Sequence, residues 1–157
     1  GKLPITFYKN SEQLSDYEDY SMKGRTYRYF DDPLFAFGYG MSYTQFQIGE
    51  GTLEKQGSNY TMTIPVTNTG KRDGTEIVQL YIRDLSDKEG PIKSLRAFQR
   101  VDVKAGQTNR ASLVLTPKSF EFFDTETNTM RTKPGNYQIL YGNSSRPEDL
   151  KTMTITY

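Results

Sequence analysis

From Tyr43 to the end of the chain, apolar and polar residues alternate over short stretches that turn residues separate. The pattern is clearest at residues 60–67, where every second position is apolar. Such alternation predicts half-buried β-strands. About seven stretches carry it, and turn signals recur roughly every 8–12 residues, which predicts an all-β fold, an antiparallel β-sandwich. The apolar positions of these stretches centre on Ile48, Ile64, Leu80, Val101, Leu113, Ile139 and Ile155.

Three stretches depart from simple alternation. Pro65 lies within a strand pattern, which indicates an edge strand or a position whose N–H takes no part in a ladder. Residues 95–103 lose their phase, which favours a β-bulge. Val78, Leu80 and Ile82 share one face of their strand, but Ile77 and Tyr81 make the other face apolar as well, which predicts a sheet covered on both sides.

The segment before the strands has no regular period. Residues 25–43 contain seven aromatic residues, interrupted by Pro33, Gly38 and Gly40. So many rings call for an apolar surface, which is either the rest of this chain or a neighbour outside it. Residues 1–43 are therefore interpreted as an extended connecting arm from an upstream domain, and residues 44–157 as the sandwich. The candidates for interdomain packing are Phe35, Phe37, Tyr39, Tyr43, Ile77 and Tyr81, with use in the chain's own core an equal alternative.

Composition narrows the possible functions. The 157 residues include 20 basic and 19 acidic side chains, a net charge of +1, without a long run of either sign. This pattern indicates neither a nucleic-acid partner nor a membrane partner. The sequence has no Cys and no His, which excludes disulfides, imidazole-dependent triads and Cys or His zinc sites. No cofactor or metal ligand set is predicted.

Several motifs carry a resemblance to a known family. Residues 33–44, PLFAFGYGMSYT, resemble the segment that enters the C-terminal fibronectin type III-like domain of glycoside hydrolase family 3. The similarity continues through residues 66–70, 95–101 and 134–137, and residues 1–7 are similar to the end of that family's second domain. Ala36 stands where the family usually has Pro. The resemblance implies an immunoglobulin or fibronectin type III-like β-sandwich, and residues 22–30 look most like β-xylosidase and β-glucosidase members.

The resemblance also implies a function. In that family the catalytic residues lie in other domains, so none is assigned here and the chain is expected to be a non-catalytic module. It would dock on and stabilise the catalytic barrel and α/β domains of one parent polypeptide, a β-glycosidase that is periplasmic or secreted. Tyr27, Arg28 and Tyr29 are candidates for a rim near a β-linked saccharide, because Tyr offers a stacking face and Arg a planar donor. The alternative is an autonomous carbohydrate-binding or protein-interaction module.

Overall fold

The computed structural model describes all residues, 1–157, and is dominated by β-strands. A single short helix, α1 (Thr26–Tyr29), and three 3₁₀ turns (Ser11–Gln13, Pro117–Phe120 and Pro147–Asp149) accompany ten strands. None of the helices is long and apolar enough to cross a membrane. The strands are β1 (Phe46–Ile48), β2 (Thr52–Gln56), β3 (Asn59–Asn68), β4 (Gly74–Asp84), β5 (Ser94–Val103), β6 (Thr108–Leu115), β7 (Phe122–Asp124), β8 (Thr129–Arg131), β9 (Asn136–Gly142) and β10 (Leu150–Thr156).

Two antiparallel sheets face each other across one core. In the first sheet β3 is central, with β6 along one side and β1 and β2 along the other. The second sheet has the order β10-β9-β4-β5. The apolar residues that the alternation placed inward meet between the sheets in a cluster of 17 buried side chains, including Ile64, Leu80 and Ile139. The predicted all-β sandwich is confirmed.

The position of Pro65 follows from a break in the neighbouring strand. Pro65 lies in the central strand β3 and not at an edge. Its carbonyl accepts a 2.8 Å hydrogen bond from the N–H of Gly49, just where β1 ends. The pairing changes register between Ile48 and Thr52. Because N–H and C=O of one strand residue point to the same side, the missing N–H of Pro65 faces this break.

The bulge predicted for residues 95–103 is present. Leu80 pairs with Ala97, but the next residue, Tyr81, pairs with Leu95, so Arg96 is the extra residue of β5. One inserted residue restores the inward direction of Val101 and Val103. This is why the apolar positions of the sequence fall out of phase there.

A small hairpin, β7–β8, was not predicted from the sequence. Phe120 and Phe122 are buried in the core, whereas Phe123 is exposed. The buried carboxylate of Asp124 holds the hairpin to the following segment through ion pairs with Arg131 and Lys133, each 2.7 Å long. The hydrogen bond from Lys133, with further help from Thr127 and Arg131, lowers the pKa of Asp124 to about 2.

Candidate docking surface

The arm, residues 1–43, lies on the outer face of the second sheet. Its two ends run side by side, because the backbone of residues 3–7 is antiparallel to that of residues 35–39. The N–H of Leu3 donates to the carbonyl of Tyr39 over 2.8 Å, and the N–H of Phe7 donates to the carbonyl of Phe35 over 2.9 Å. The two paired segments, residues 3–7 and 35–39, therefore form a strap that is held together by its own backbone hydrogen bonds.

Three aromatic rings fix the strap to the sheet. Tyr81 points outward from β4 and is completely buried. The ring of Tyr27 meets it edge-on at 5.8 Å and stacks on Phe37 at 4.5 Å. Burial and, second, the proximity of Tyr27 raise the pKa of Tyr81 above its usual range. The apolar outer face of β4 is thus covered by the chain's own arm.

A polar anchor lies beside these rings. The hydroxyl of Tyr81 donates to Oε1 of Gln79, and Nε2 of Gln79 donates to the carbonyl of Asn143 over 3.0 Å and to that of Gly38 over 3.4 Å. The N–H of Ser145 donates to the carbonyl of Phe37 over 2.8 Å. Gly38 has φ +77°, and a Cβ there would lie 2.2 Å from Oε1 of Gln79. The anchor therefore requires glycine at this position, for both backbone conformation and space.

The arm also supplies counter-charges for two buried groups of the sheet. Lys2 pairs with Glu76 of β4 at 2.8 Å, and Asp31 pairs with Lys93, just before β5. The side chains of Glu76 and Lys93 are only 6% and 4% exposed. A buried charge without a partner is strongly destabilising. The sandwich therefore depends on the arm electrostatically as well as through apolar packing.

The outside of the arm is rich in uncovered apolar side chains. Ten of the fifteen large apolar residues that are exposed lie within residues 1–43. We name six of them, which lie on the two paired ends of the strap and the segment that follows, the crest: Ile5, Phe7, Leu34, Phe35, Met41 and Tyr43. Met41 is 83% exposed and Tyr43 93%. These exposed apolar side chains make the crest a candidate interaction surface.

A second feature lies beside α1, in the second half of the arm. A cleft of about 620 Å³ opens between α1, the loop that joins β4 to β5, and the β7–β8 hairpin. We call it the polar cleft; Arg28 and Tyr29 form part of its lining. The carbonyl of Arg28 accepts a 2.7 Å hydrogen bond from the N–H of Ile92, which fixes the backbone there.

The residues singled out from the sequence fall into three places. Of the proposed rim residues, Arg28 and Tyr29 line the polar cleft, whereas Tyr27 lies on the inner side of the arm and packs on Tyr81. Phe35 and Tyr43 belong to the crest, where Phe35 also stacks on the half-buried Tyr39 at 5.4 Å. Phe37 and Tyr81 both contact the ring of Tyr27, so they pack within this chain. Ile77 is half-buried on β4.

Sequence reasoning missed the polar anchors Gln79, Glu76 and Lys93. A signal existed for Gln79 alone, since it shares a strand face with the apolar residues Ile77 and Tyr81. Glu76 and Lys93 look like ordinary surface charges in the sequence, and only the fold shows that the arm buries them.

Comparison with known proteins places this arrangement in a family. Residues 76–145 match the family model of the fibronectin type III-like domain. A xylan 1,4-β-xylosidase of Xylanibacter ruminicola is 65% identical over 99% of this chain and 18% of its own length. A periplasmic β-glucosidase of Salmonella typhimurium is 31% identical over 90% of this chain and 21% of its own.

Solved structures of β-glucosidases also resemble this chain along almost its whole length. The crystal structure of a β-D-glucoside glucohydrolase from Trichoderma reesei superposes with a TM-score of 0.85 and 26% identity, covering 99% of this chain and 26% of that one. The chain thus spans about a fifth of the length of the curated relatives it matches. The relatives include the arm as well as the sandwich, because the matches cover almost the whole chain. Residues 76–145 therefore belong to the fibronectin type III-like domain family, and the chain is a part of a glycoside hydrolase family 3 protein.

Proposed function

We propose that this chain is a non-catalytic module that docks, through the crest, on the catalytic barrel and α/β domains of one parent β-glycosidase. The observation that carries the proposal is the crest itself, an uncovered apolar surface on an arm whose inner side is already fixed to the sandwich. The occupant proposed for it is the remainder of the same polypeptide, since the curated relatives are about five times longer than this chain.

The rigid mounting of the arm supports a stabilising role. The aromatic contacts, the Gln79 anchor and the two ion pairs hold the inner side of the arm, and with it the backbone that carries the crest, against the sheet. A preorganised surface loses less conformational entropy on binding than a flexible one. The module would therefore strengthen the parent enzyme without taking part in bond cleavage.

The names of the relatives support the substrate class and compartment. Relatives named as β-xylosidase and β-glucosidase favour a parent that hydrolyses β-xylosides or β-glucosides, and the periplasmic relative favours a periplasmic or secreted location. Arg28 and Tyr29, which face the polar cleft, remain the candidates for a rim that contacts a saccharide. Tyr27 has the different role of holding the arm on β4.

The docking proposal is tested with charged substitutions in the crest. We expect Met41→Lys with Tyr43→Lys to lower the melting temperature of the intact glycosidase by several degrees, because burying two ammonium groups in an interface is costly. The same pair should leave the melting temperature of the 157-residue chain unchanged. Phe98→Lys, on an exposed position of β5, serves as the control. Unchanged melting of the intact enzyme would refute the docking role of the crest.

A further inference from the structure

No residue of the crest lines the polar cleft, and the Tyr43 end of the crest lies at the opposite end of β4 from the cleft. β4 starts at Gly74, where a Cβ would lie 2.7 Å from the side chain of Thr44, directly after the crest residue Tyr43. The same strand ends at Asp84, which lines the polar cleft. Ten residues of strand separate these ends, which corresponds to about 30 Å. The cleft is therefore a separate feature that the docking proposal does not explain.

One wall of the cleft presents an apolar surface. Phe123 and Met130 are directly opposite each other in the β7–β8 hairpin, and each is 54% exposed. Both line the cleft. The residue after Phe123, Asp124, ties the hairpin backbone to Lys133 and pairs with Arg131 through its buried carboxylate. An exposed ring such as that of Phe123 is a platform on which a flat apolar surface of a ligand can stack.

The other side of the cleft, formed by α1 and the β4–β5 loop, carries hydrogen-bonding groups that have no partner within the protein. The guanidinium of Arg28 takes part in no ion pair, and neither does the carboxylate of Glu89. Asp87 uses Oδ1 to accept from the N–H groups of Glu89 and Gly90, which leaves Oδ2 without a protein partner. Donors and acceptors are therefore both available within one cleft.

The balance of charge indicates the kind of ligand. Four basic and four acidic residues line the cleft: Arg28, Arg96, Arg131, Lys133, Asp84, Asp87, Glu89 and Asp124. Arg131 and Lys133 both pair with Asp124, and the eight charges of the cleft sum to zero. A cleft with no net formal charge has no reason to prefer an anion or a cation. Mixed donors and acceptors beside a ring suit a neutral ligand that carries many hydroxyl groups and an apolar face.

We propose that the polar cleft binds a neutral β-linked oligosaccharide. Phe123 stacks on one sugar ring, Arg28 donates to hydroxyl oxygens, and Asp87 and Glu89 accept from hydroxyl groups. Tyr29 adds a hydroxyl to the same wall. The choice of a β-linked sugar rests on the proposed function, whereas the existence of the site rests on the cleft alone.

The test is calorimetric titration of the 157-residue chain with xylohexaose and, separately, with cellohexaose. We expect at least one of them to bind, and Phe123→Ala and Arg28→Ala each to weaken binding by about tenfold or more. Arg28→Ala removes a charge-assisted hydrogen bond, and Phe123→Ala removes the stacked ring. Phe98→Ala and Arg100→Ala are matched controls outside the cleft and should change affinity by less than twofold. Circular dichroism confirms that all four variants remain folded.

Several results would overturn the proposal. These are the absence of binding to both hexasaccharides, an equal loss of affinity in the control variants, and tighter binding of sodium glucuronate than of the neutral sugars. None of them bears on docking, because the crest variants are tested by melting of the intact enzyme. Conversely, a failed docking test leaves this titration unaffected.

Discussion

The ring of Tyr27 stacks on the ring of Phe37 with their centroids 4.5 Å apart and their planes 24° apart. These residues come from two parts of the arm, and between them they cover Tyr81 on the outer face of the sheet. The arm is therefore a structural layer of the sandwich. Four predictions about this layer and its neighbours follow from the contacts.

Removing the stacked ring should destabilise the isolated chain. Phe37 is half-buried, so we expect Phe37→Ala to lower the free energy of unfolding by about 2 kcal/mol, roughly half of the cost at a fully buried Phe. Phe98→Ala is the control, because Phe98 is 67% exposed and should change this free energy by less than about 0.5 kcal/mol. Urea unfolding of both variants provides the measurement, and equal effects would contradict the packing role of Phe37.

Deleting the arm should destabilise the sandwich because a buried lysine then loses its counter-charge. A chain that starts at Thr44 lacks Asp31, so the buried ammonium of Lys93 loses its partner. We expect the shortened chain to be less stable by about 3 kcal/mol or more. Lys93→Met should recover part of this loss in the shortened chain and be nearly neutral in the full chain, as urea unfolding of all four proteins would show. A Lys93→Met effect of equal size in both lengths would contradict the assigned role of Asp31.

Two glycines with left-handed backbones provide a matched pair. Gly57 has φ +62° and open space around a Cβ, whereas Gly38 has φ +77° and Gln79 in the way. Gly57→Ala should cost about 1–2 kcal/mol from backbone strain alone. Gly38→Ala should cost clearly more, and Gly38→Ala with Gln79→Ala should cost less than the sum of the two single changes, because the clash is then absent. Chemical denaturation measures each value, and similar costs at the two glycines would argue against the Gln79 anchor.

Protonation of Asp124 should lower the free energy of unfolding in acid. The pKa of this carboxyl is about 2 in the folded chain, chiefly because Lys133 donates a hydrogen bond to it, against about 3.9 in an unfolded chain. Because the folded-state pKa is the lower one, its stabilising contribution is complete above about pH 4 and is lost as the pH falls through about 2.

Asp124→Asn removes that titration. We therefore expect the free energy of unfolding to fall less steeply between about pH 4 and pH 2 in this variant than in the unmodified chain. Asp102→Asn, at a side chain that is 82% exposed, controls for the loss of one negative charge. Urea unfolding across this pH range gives the slopes, and parallel slopes for Asp124→Asn and the unmodified chain would rule out the ion-pair cluster as their cause.

The sandwich could be predicted from the sequence because its information is local. Alternation at Tyr60 to Val66 determines which side chains face inward, and the lost phase near Arg96 reveals the bulge. The apolar outer position of Tyr81 likewise predicted a covered sheet, and the arm is what covers it. Each of these signals depends on neighbours one or two positions apart in the chain.

The remaining features depend on contacts between distant residues. Lys93 becomes a buried cation only because Asp31, 62 positions earlier, lies against it. The polar cleft combines α1, the β4–β5 loop and the β7–β8 hairpin, and none of these carries a motif by itself. The split into β1 and β2 results from a register change at Gly49–Gly51, which no periodicity of so short a stretch can show.

Hydroxyl-radical footprinting of Met41 and Tyr43, in the 157-residue chain and in the intact glycosidase, tests the docking claim most directly. Both side chains are almost fully exposed in the chain alone, so they should be oxidised rapidly there. In the intact enzyme we predict at least tenfold slower oxidation of both, with the oxidation of Phe98 as the internal reference. Equal oxidation rates of Met41 and Tyr43 in the two proteins would contradict the account.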